Sequence, residues 1–360
     1  MRFSAVVVVW VIVVLALSLS FTTPLLAGCE VERRPLEAAP LLTRHLGKDC
    51  TAQQRDAQAV TAAELLAAFK SGKGVDLSGV VITGDLMLDE LPLVSVPTLD
   101  VLSPRVQDAI QKQHLRQVRV ISGPILIRNS LVRGRVATNL KEGYLVVKGP
   151  VIMTGTTFER SMDLSHAAFV ESVDFSEAVL LREGFFIGAL FSQTARFEKT
   201  AFGVHSRFHK AVFGEAVTFL RAGFNGLAEF LEVTFEKEAS FSRTYFKLGT
   251  GFSGSHFLGG LDFSEALFER EAFFLFTVFE GDAYFRRTTF RSLADFTDAE
   301  FKGVNDFAKV FFQVEPRFIR TKGSGARQSP GGLQDPRFLY GIAAALLIFT
   351  VCFVLFLRKG

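Results

Sequence analysis

Two histidines lie four residues apart in the stretch HSRFH, at His205 and His209. On a helix, this spacing would place both imidazoles on one face, where they could bind a zinc ion. A zinc site needs further ligands, and no Cys or third His lies close to the pair in the sequence. We therefore predict no metal site at HSRFH.

Three acidic residues, Asp295, Asp298 and Glu300, could supply the paired carboxylates of a glycoside hydrolase. We interpret them instead as solvated residues at the corners of the fold derived below. The chain has no Gly-x-Ser-x-Gly, P-loop or dinucleotide-binding motif in a strand-to-helix context. The prediction is a protein without catalytic residues, cofactor or evident small-molecule substrate. The alternative is an enzyme whose site lies in the irregular region 30–150.

Residues 1–28 are typical of a signal peptide or an N-terminal anchor, because Arg2 precedes an apolar run from Ala5 to Leu17. The segment ends in Leu26-Ala27-Gly28-Cys29, which resembles the bacterial lipobox and would make Cys29 a lipidation site. The same segment would also fit ordinary cleavage near this point or an uncleaved anchor. If Cys29 stays without lipid in an oxidising compartment, it could form a disulfide with Cys50.

Residues 338–357 form an uncharged run, FLYGIAAALLIFTVCFVLFL, that is long enough to cross a membrane as one helix. Arg358 and Lys359 close the run as a cytoplasmic flank would. Residues 321–337 are predicted to be a flexible linker. An export segment and a terminal span together predict a bacterial membrane protein whose residues 30–337 are periplasmic or extracellular.

The most regular feature of the chain is the spacing of its 39 phenylalanines. In FEGDAYFRRTTFRSLADFTDAEF, residues 279–301, the gaps between them run six, five, six and five. A helix would place successive Phe side chains on nearly opposite faces, and a regular strand would reverse the face at every odd 11-residue repeat. The chain must instead turn a corner every five or six residues, so that each short strand brings one Phe to a central axis. The predicted structural core contains Phe197, Phe208, Phe219, Phe230, Phe241, Phe252, Phe263, Phe285 and Phe296.

The residue two positions before these phenylalanines is repeatedly small, as at Ala195, Ser206, Ala228 and Ala239. By strand parity this residue also points inward, so a narrow lumen would hold one large and one small side chain on each face. Identical coils that stack in this way form a β-solenoid, which is an all-β fold.

These residues resemble the pentapeptide-repeat family, because Ala294-Asp295-Phe296-Thr297-Asp298 and Val173-Asp174-Phe175-Ser176-Glu177 match its repeat Ala-Asp-Leu/Phe-x-x. The chain is similar to a Phe-rich branch in which alternate units contain six residues. The resemblance covers 147–318 strongly and 75–136 weakly. It implies a right-handed quadrilateral β-helix with about 22 residues per coil and roughly seven or eight coils in the regular part.

Outside the regular repeats, the sequence predicts a linker at 29–60, an N-terminal cap with irregular first coils at 61–146, and the solenoid at 147–320. Thr61 and Glu64 match a capping box, which predicts a short helix at 61–71 that covers the first coil. A second helix is expected within 103–114. Because no C-terminal cap follows residue 318, we expect that two copies could pair end to end as a homodimer.

The charge of the chain gives no reason to expect nucleic-acid binding. The net charge is +3, and residues 151–320 carry 18 basic and 23 acidic side chains. A net charge of +3 is near balance for this length, so the expected partners do not include nucleic acid. A net of −5 over residues 151–320 is weak for the DNA mimicry of some cytoplasmic pentapeptide-repeat proteins. The predicted function is a membrane-anchored, extracytoplasmic scaffold that binds protein or envelope partners, and a DNA-mimic regulator is the last-ranked alternative.

Overall fold

The computed structural model describes residues 29–34, 40–96, 102–140 and 143–323. Over these residues the chain is a β-solenoid of about eleven turns, as the phenylalanine spacing predicted. Four sheets form the sides of the rod, and each regular coil adds one short strand to each sheet. We number the sheets 1 to 4 in the order in which the chain visits them.

The strands of the first two sheets follow one another directly in each coil. Sheet 1 contains Val31–Arg34, Leu41–Leu46, Gly74–Ser78, Ile125–Arg128, Val151–Ile152, Val173–Asp174, Ala195–Arg196, Val217–Thr218, Ala239–Ser240, Leu261–Asp262, Ala283–Tyr284 and Asn305–Asp306. Sheet 2 contains Val60–Thr61, Val81–Thr83, Leu131–Val132, Thr157–Phe158, Val179–Leu180, Ala201–Phe202, Gly223–Phe224, Tyr245–Phe246, Leu267–Phe268, Thr289–Phe290 and Phe311–Phe312.

The remaining two sheets complete the coil. Sheet 3 contains Leu86–Met87, Val136–Ala137, Met162–Asp163, Glu183–Phe185, His205–Arg207, Leu227–Glu229, Thr250–Gly251, Ala272–Phe273 and Ala294–Asp295. Sheet 4 contains Leu93–Ser95, Gln117–Ile121, Leu145–Val147, Ala167–Phe169, Leu190–Phe191, Val212–Phe213, Thr234–Phe235, His256–Phe257, Val278–Phe279 and Glu300–Phe301. The described part of the chain also has three α-helices, Ala52–Ala57 (α1), Ala62–Lys70 (α2) and Pro104–Lys112 (α3), and a 3₁₀ turn at Leu88–Glu90.

Neighbouring coils pair in parallel and in register. In sheet 1, for example, Val217 pairs with Ala195 and with Ala239, so an equivalent position recurs every 22 residues. This repeat length agrees with the one that the family resemblance implies. Among the described strands, the pairing is antiparallel only where Val31–Arg34 meets Leu41–Leu46 and where Leu93–Ser95 meets Gln117–Ile121.

The lumen of the solenoid is filled by stacked phenylalanine rings. All nine of the predicted core phenylalanines have a relative exposure of 0%. Phe197, Phe219 and Phe241 form one column with nearly parallel rings, whose centroids lie 4.8 and 4.7 Å apart. Across the lumen, Phe219 meets Phe230 edge to face at 5.5 Å. Both arrangements are ones that aromatic quadrupoles prefer, so the stack gains orientation-dependent attraction as well as apolar burial.

The small residues two positions before each Phe also lie inside the rod. Ala195, Ser206, Ala228 and Ala239 are at most 2% exposed. A larger side chain at these positions would compete with the rings for the same space, because protein interiors are close-packed. The pairing of one large and one small residue therefore sets the cross-section of the lumen.

Backbone conformation explains why the steps alternate between five and six residues. In the five-residue steps, the second residue after Phe has a positive φ, as at Lys199 (54°), Lys210 (55°) and Arg221 (56°). The next amide then donates back to the Phe carbonyl, for example from Ala211 N to Phe208 O at 3.0 Å. The six-residue step from Phe202 to Phe208 contains no residue with positive φ. Two corner types thus alternate around the coil.

The N-terminal end of the rod is closed. Helix α2 begins with the predicted capping box, in which Thr61 and Glu64 each accept a hydrogen bond from the other's backbone N–H. Its Leu65 and Phe69 are buried in the same core as the lumen residues of the first coils. The helix predicted at 61–71 therefore occupies 62–70 and covers the open lumen.

The linker predicted at 29–60 was wrong for most of the residues described there. Leu41–Leu46 pairs in parallel with Gly74–Ser78 as part of sheet 1, and Val31–Arg34 pairs with its outer edge. An uncovered sheet edge invites pairing with other chains, so these strands protect the first coil. Cys29 forms the disulfide with Cys50 that the sequence allowed, with sulfurs 2.00 Å apart.

The C-terminal end of the rod has no comparable cover within the described residues. Its last coil consists of Asn305–Asp306, Phe311–Phe312 and two isolated bridges, from Asp295 to Arg317 and from Glu300 to Lys322. Phe311 and Ile319 are 55% and 53% exposed there. The segments predicted to enter or cross a membrane, 1–28 and 338–357, lie outside the described residues. Among the described residues, none of the helices has the length and hydropathy of a membrane span.

Candidate functional site

A cluster of four titratable side chains lies on the outer surface of sheet 3. His205 and Arg207 belong to one strand, and Glu229 pairs with Arg207 in the next coil. His205 Nε2 lies 2.7 Å from Glu229 Oε2, and Arg207 Nε donates to the same oxygen at 2.9 Å. His209, which follows the corner after Phe208, places Nε2 at 3.3 Å from that oxygen. One carboxylate oxygen therefore meets two imidazoles and a guanidinium.

An aromatic ring in the preceding coil holds this cluster in place. Phe185 meets the His205 ring edge to face, with centroids 5.9 Å apart, and the Arg207 guanidinium lies 5.4 Å from the Phe185 centroid. Burial alone would raise the pKa of Glu229, but hydrogen bonds from His205 and Arg207 and the nearby histidine charges lower it below its usual value. The carboxylate is thus kept ionised as the acceptor of the cluster.

The histidine pair of HSRFH therefore has a carboxylate partner that the sequence analysis missed. The residue is 22 positions after Arg207, so the coil length itself is the signal that would have found it. In the part of the chain that the structure describes, no group of three His, Cys, Asp or Glu side chains has a metal-holding arrangement. The cluster forms a local ion-pair network that joins two coils.

The three acidic residues considered for hydrolase chemistry lie at different positions around the coil. Asp295 is on a strand of sheet 3 and only 6% exposed, so its expected place at a solvated corner was wrong. Its Oδ1 accepts the Thr297 amide at 2.9 Å, and its Oδ2 lies 3.5 Å from Arg317. Asp298 occupies a corner and pairs with Arg320, whereas Glu300 begins a strand of sheet 4. These carboxylates therefore do not share one face as a catalytic pair would.

Residues 102–112, which include helix α3, cover the outside of sheet 4. Helix α3 buries Val106 and Ile110 against outward residues of that sheet. The members of this second apolar cluster are Leu102, Val106, Ile110, Val118, Tyr144, Val146, Ala168 and Leu190. Ser103 caps the helix by accepting the Val106 amide at 3.4 Å. The helix is thus attached to the rod by apolar contact and by the hydrogen bonds of Arg105.

Beside helix α3 lies a cleft of about 360 Å³. Its polar side chains are largely paired with one another. Arg105 donates to Glu236 at 3.0 Å and to the Gly214 carbonyl at 2.8 Å, and Lys112 lies 2.8 Å from Asp108. Burial raises the pKa of the Tyr144 hydroxyl, against the effect of its hydrogen bond with Gln113. The cleft shows no free set of converging catalytic groups.

Charges on the rod are often paired with the equivalent position of the next coil. Lys199 lies 2.7 Å from Glu177, Arg291 2.9 Å from Glu269 and Lys302 2.7 Å from Glu280, and each pair is 22 residues apart. The two partners in each pair sit above one another along the rod because the strands are in register. Much of the surface charge is therefore neutralised locally.

No family model, no curated protein and no solved structure matches this chain. The resemblance to the pentapeptide-repeat family therefore stays a prediction from the repeat residues quoted above.

Proposed function

We propose that this chain is a non-catalytic scaffold of the pentapeptide-repeat type, a right-handed solenoid that is anchored in a bacterial membrane and displayed outside the cytoplasm. The function would be to present a rigid surface to a protein or envelope partner. The observation that carries the proposal is the regular coil itself, in which outward side chains recur every 22 residues on four fixed faces.

The segment over sheet 4 favours a scaffold over an enzyme. An enzyme site in the region 30–150 would need a pocket with converging polar groups. Helix α3 instead packs on sheet 4 through Val106 and Ile110, and Arg105 in the adjacent cleft is already bonded to Glu236. This arrangement serves to cover a sheet and supports the binding function.

Display outside the cytoplasm is supported by the covalent chemistry of the N-terminal coil. Disulfides persist in oxidising compartments, and Cys29 is paired with Cys50. The uncharged run at 338–357 would then be the anchor, and residues 324–337 would connect it to the open end of the rod. The exposed Phe311 and Ile319 at that end would also allow a second copy to pair there.

Topology mapping tests the anchor. Spheroplasts that produce the chain with a tag after Gly360 are treated with protease in the absence of detergent. The expected result is cleavage between the solenoid and residue 338, because the linker would be outside, together with a protected C-terminal tag. A cytoplasmic marker protein should stay intact as the control for membrane integrity. A protected solenoid with an accessible tag would refute extracytoplasmic display.

A further inference from the structure

A groove of about 480 Å³ runs along the outside of sheet 1. Its floor follows equivalent positions of successive coils, where Arg196, Thr218, Ser240 and Asp262 are register partners in that order. Tyr284 is the next partner and ends the groove. The groove exists because two coils carry short hydroxyl side chains between coils that carry longer charged ones.

The two ends of the groove carry opposite charge. Arg196 is exposed at one end, and within the described residues its guanidinium has no ion pair. At the other end, Asp262 Oδ1 accepts the Ser264 amide at 2.8 Å, and the Asp262 carboxylate also interacts electrostatically with Arg286, whose hydrogen-bonded ion pair is with Asp306. The adjacent Tyr284 is held in place, because its hydroxyl donates to Asp282 at 3.0 Å and Arg286 lies over its ring.

Two glutamates add negative charge to the walls of the groove. Glu198 lines it next to Arg196, and Glu238 lines it between the ends. Neither carboxylate has an ion pair within the described residues, in contrast to the pairs that link other coils. The groove therefore presents one guanidinium and three carboxylates, so a complementary ligand has one anionic group and more than one cationic group.

The spacing of the coils sets the length of that ligand. Parallel strands lie about 4.8 Å apart, so Arg196 and Asp262, three coils apart, are separated by about 14 Å. An extended peptide advances about 3.4 Å per residue and covers this distance in roughly four residues. The hydroxyls of Thr218 and Ser240 lie between the two ends, where peptide N–H and C=O groups would pass.

We propose that this groove binds an extended peptide of about four residues, with its C-terminal carboxylate at Arg196 and its basic, amino-terminal end at Glu238 and Asp262. The proposal rests on the scaffold function above, since it assigns a class of partner to one face of the rod. It does not depend on the membrane anchor.

The test measures binding of the peptide Lys-Ala-Ala-Ala, with free termini, to the purified full chain in detergent by isothermal titration calorimetry. The C-terminally amidated peptide and Glu-Ala-Ala-Ala serve as ligand controls. We expect the amide to bind about three- to tenfold more weakly, because a partly exposed charge-assisted contact is lost. The acidic peptide should bind more weakly still, since it brings a carboxylate to the negative end.

Variants locate the binding site. Arg196→Gln should weaken binding of the free-acid peptide and leave the affinity for the amidated peptide unchanged. Asp262→Asn should weaken both peptides. One matched control is Arg182→Gln, at an exposed corner outside the groove. The other is Asp163→Asn on sheet 3, because the Asp163 carboxylate accepts the Ser165 amide at 2.9 Å in the same way that Asp262 accepts the Ser264 amide. Circular dichroism would check that each variant retains the solenoid.

Two outcomes would overturn the proposal. One is the absence of measurable binding at low-millimolar peptide, and the second is equal affinity in the groove variants and the control variants. Because this assay is performed in detergent, a negative result leaves the topology experiment unaffected. Conversely, a solenoid that is found in the cytoplasm but still binds the peptide would refute extracytoplasmic display and would support the peptide-binding groove.

Discussion

At the residue scale, the stability of the rod depends on buried phenylalanines that occupy nearly equivalent environments. Phe241 illustrates the environment that most of them share, with parallel neighbours Phe219 at 4.7 Å and Phe263 at 4.8 Å and an edge contact to Phe252 at 5.3 Å. Each such ring contacts the rings of the coils on either side of its own. Loss of one ring therefore affects contacts above, below and across the lumen.

Replacement of this ring should destabilise the whole solenoid. We expect Phe241→Ala to reduce the free energy of unfolding by about 3 to 5 kcal/mol, because the lost ring leaves a cavity that the neighbouring coils cannot close. Chemical denaturation provides the measurement. Glu238→Gln, a nearby surface change, should cost little. Equal denaturation midpoints for wild type and Phe241→Ala would contradict the inward register.

The carboxylate of Glu229 should make a pH-dependent contribution to stability. Burial would raise its pKa in the folded state, but hydrogen bonds from His205 and Arg207 outweigh burial and lower it. A lowered pKa means that the contribution is fully present above the ordinary range of a Glu carboxyl, roughly pH 4 to 5, and is lost as the pH falls through the folded value. Glu229→Gln should therefore lower the melting temperature at pH 6, and this effect should shrink as the pH falls below the ordinary range of a Glu carboxyl, toward pH 3.

The control for this prediction is Glu238→Gln, because Glu238 has no ion pair within the described residues. The difference between this variant and wild type should stay small at both pH values. A Glu229→Gln effect that is the same at pH 3 and pH 6 would show that the cluster on sheet 3 does not act through the ionised carboxylate.

At the element scale, helix α3 is an addition to the rod and does not belong to a coil. Val106 is 0% exposed and Ile110 is 2% exposed, but both pack on the outer side of sheet 4, away from the phenylalanine lumen. Helices of this length are marginal alone, so the helix depends on this contact. The regular coils do not depend on it in the same way, because their core lies on the opposite side of the sheet.

A buried charge in helix α3 should disrupt the helix without unfolding the regular coils. Val106→Asp should release the helix, since an unpaired carboxylate is costly to bury, while the solenoid behind it stays folded. Hydrogen exchange measured by mass spectrometry should show faster exchange at 104–112 and unchanged protection at 195–263. Gln111→Asp, at an exposed position of the same helix, is the matched control. Loss of protection throughout the rod would contradict this separation.

At the scale of the whole molecule, the two ends of the rod are built differently. The first coil is covered by helix α2 and by the antiparallel strand Val31–Arg34, and the Cys29–Cys50 disulfide ties this region together. The last described coil exposes Phe311 and Ile319. In a stacked fold each coil contacts only its neighbours, so an uncovered terminal coil is the least protected one. End-to-end pairing of two copies at this coil stays a prediction.

The repeated part of the fold could be predicted from the sequence because each coil must bury the same pattern of side chains. A phenylalanine every five or six residues, with a small residue two positions before it, can be buried only if the chain turns at each step. The spacing therefore determined the solenoid and the inward register of residues such as Phe241, and the Thr61 and Glu64 capping box indicated the helix at the N-terminal end. The strands within 29–60 were missed because Leu41–Leu46 carries no such period and is held by pairing with Gly74–Ser78.

The surface sites depended on the tertiary structure because they join residues of different coils. Glu229 contacts His205 and Arg207 only because the chain completes a full coil between them. Arg196 and Asp262 line opposite ends of one groove only because three coils stack between them. Outward positions are under no common packing constraint, so their residue types do not repeat, and only the 22-residue coil length indicates which of them are neighbours. The sequence by itself determined which side chains point inward, and the stacking of the coils decided which outward side chains meet.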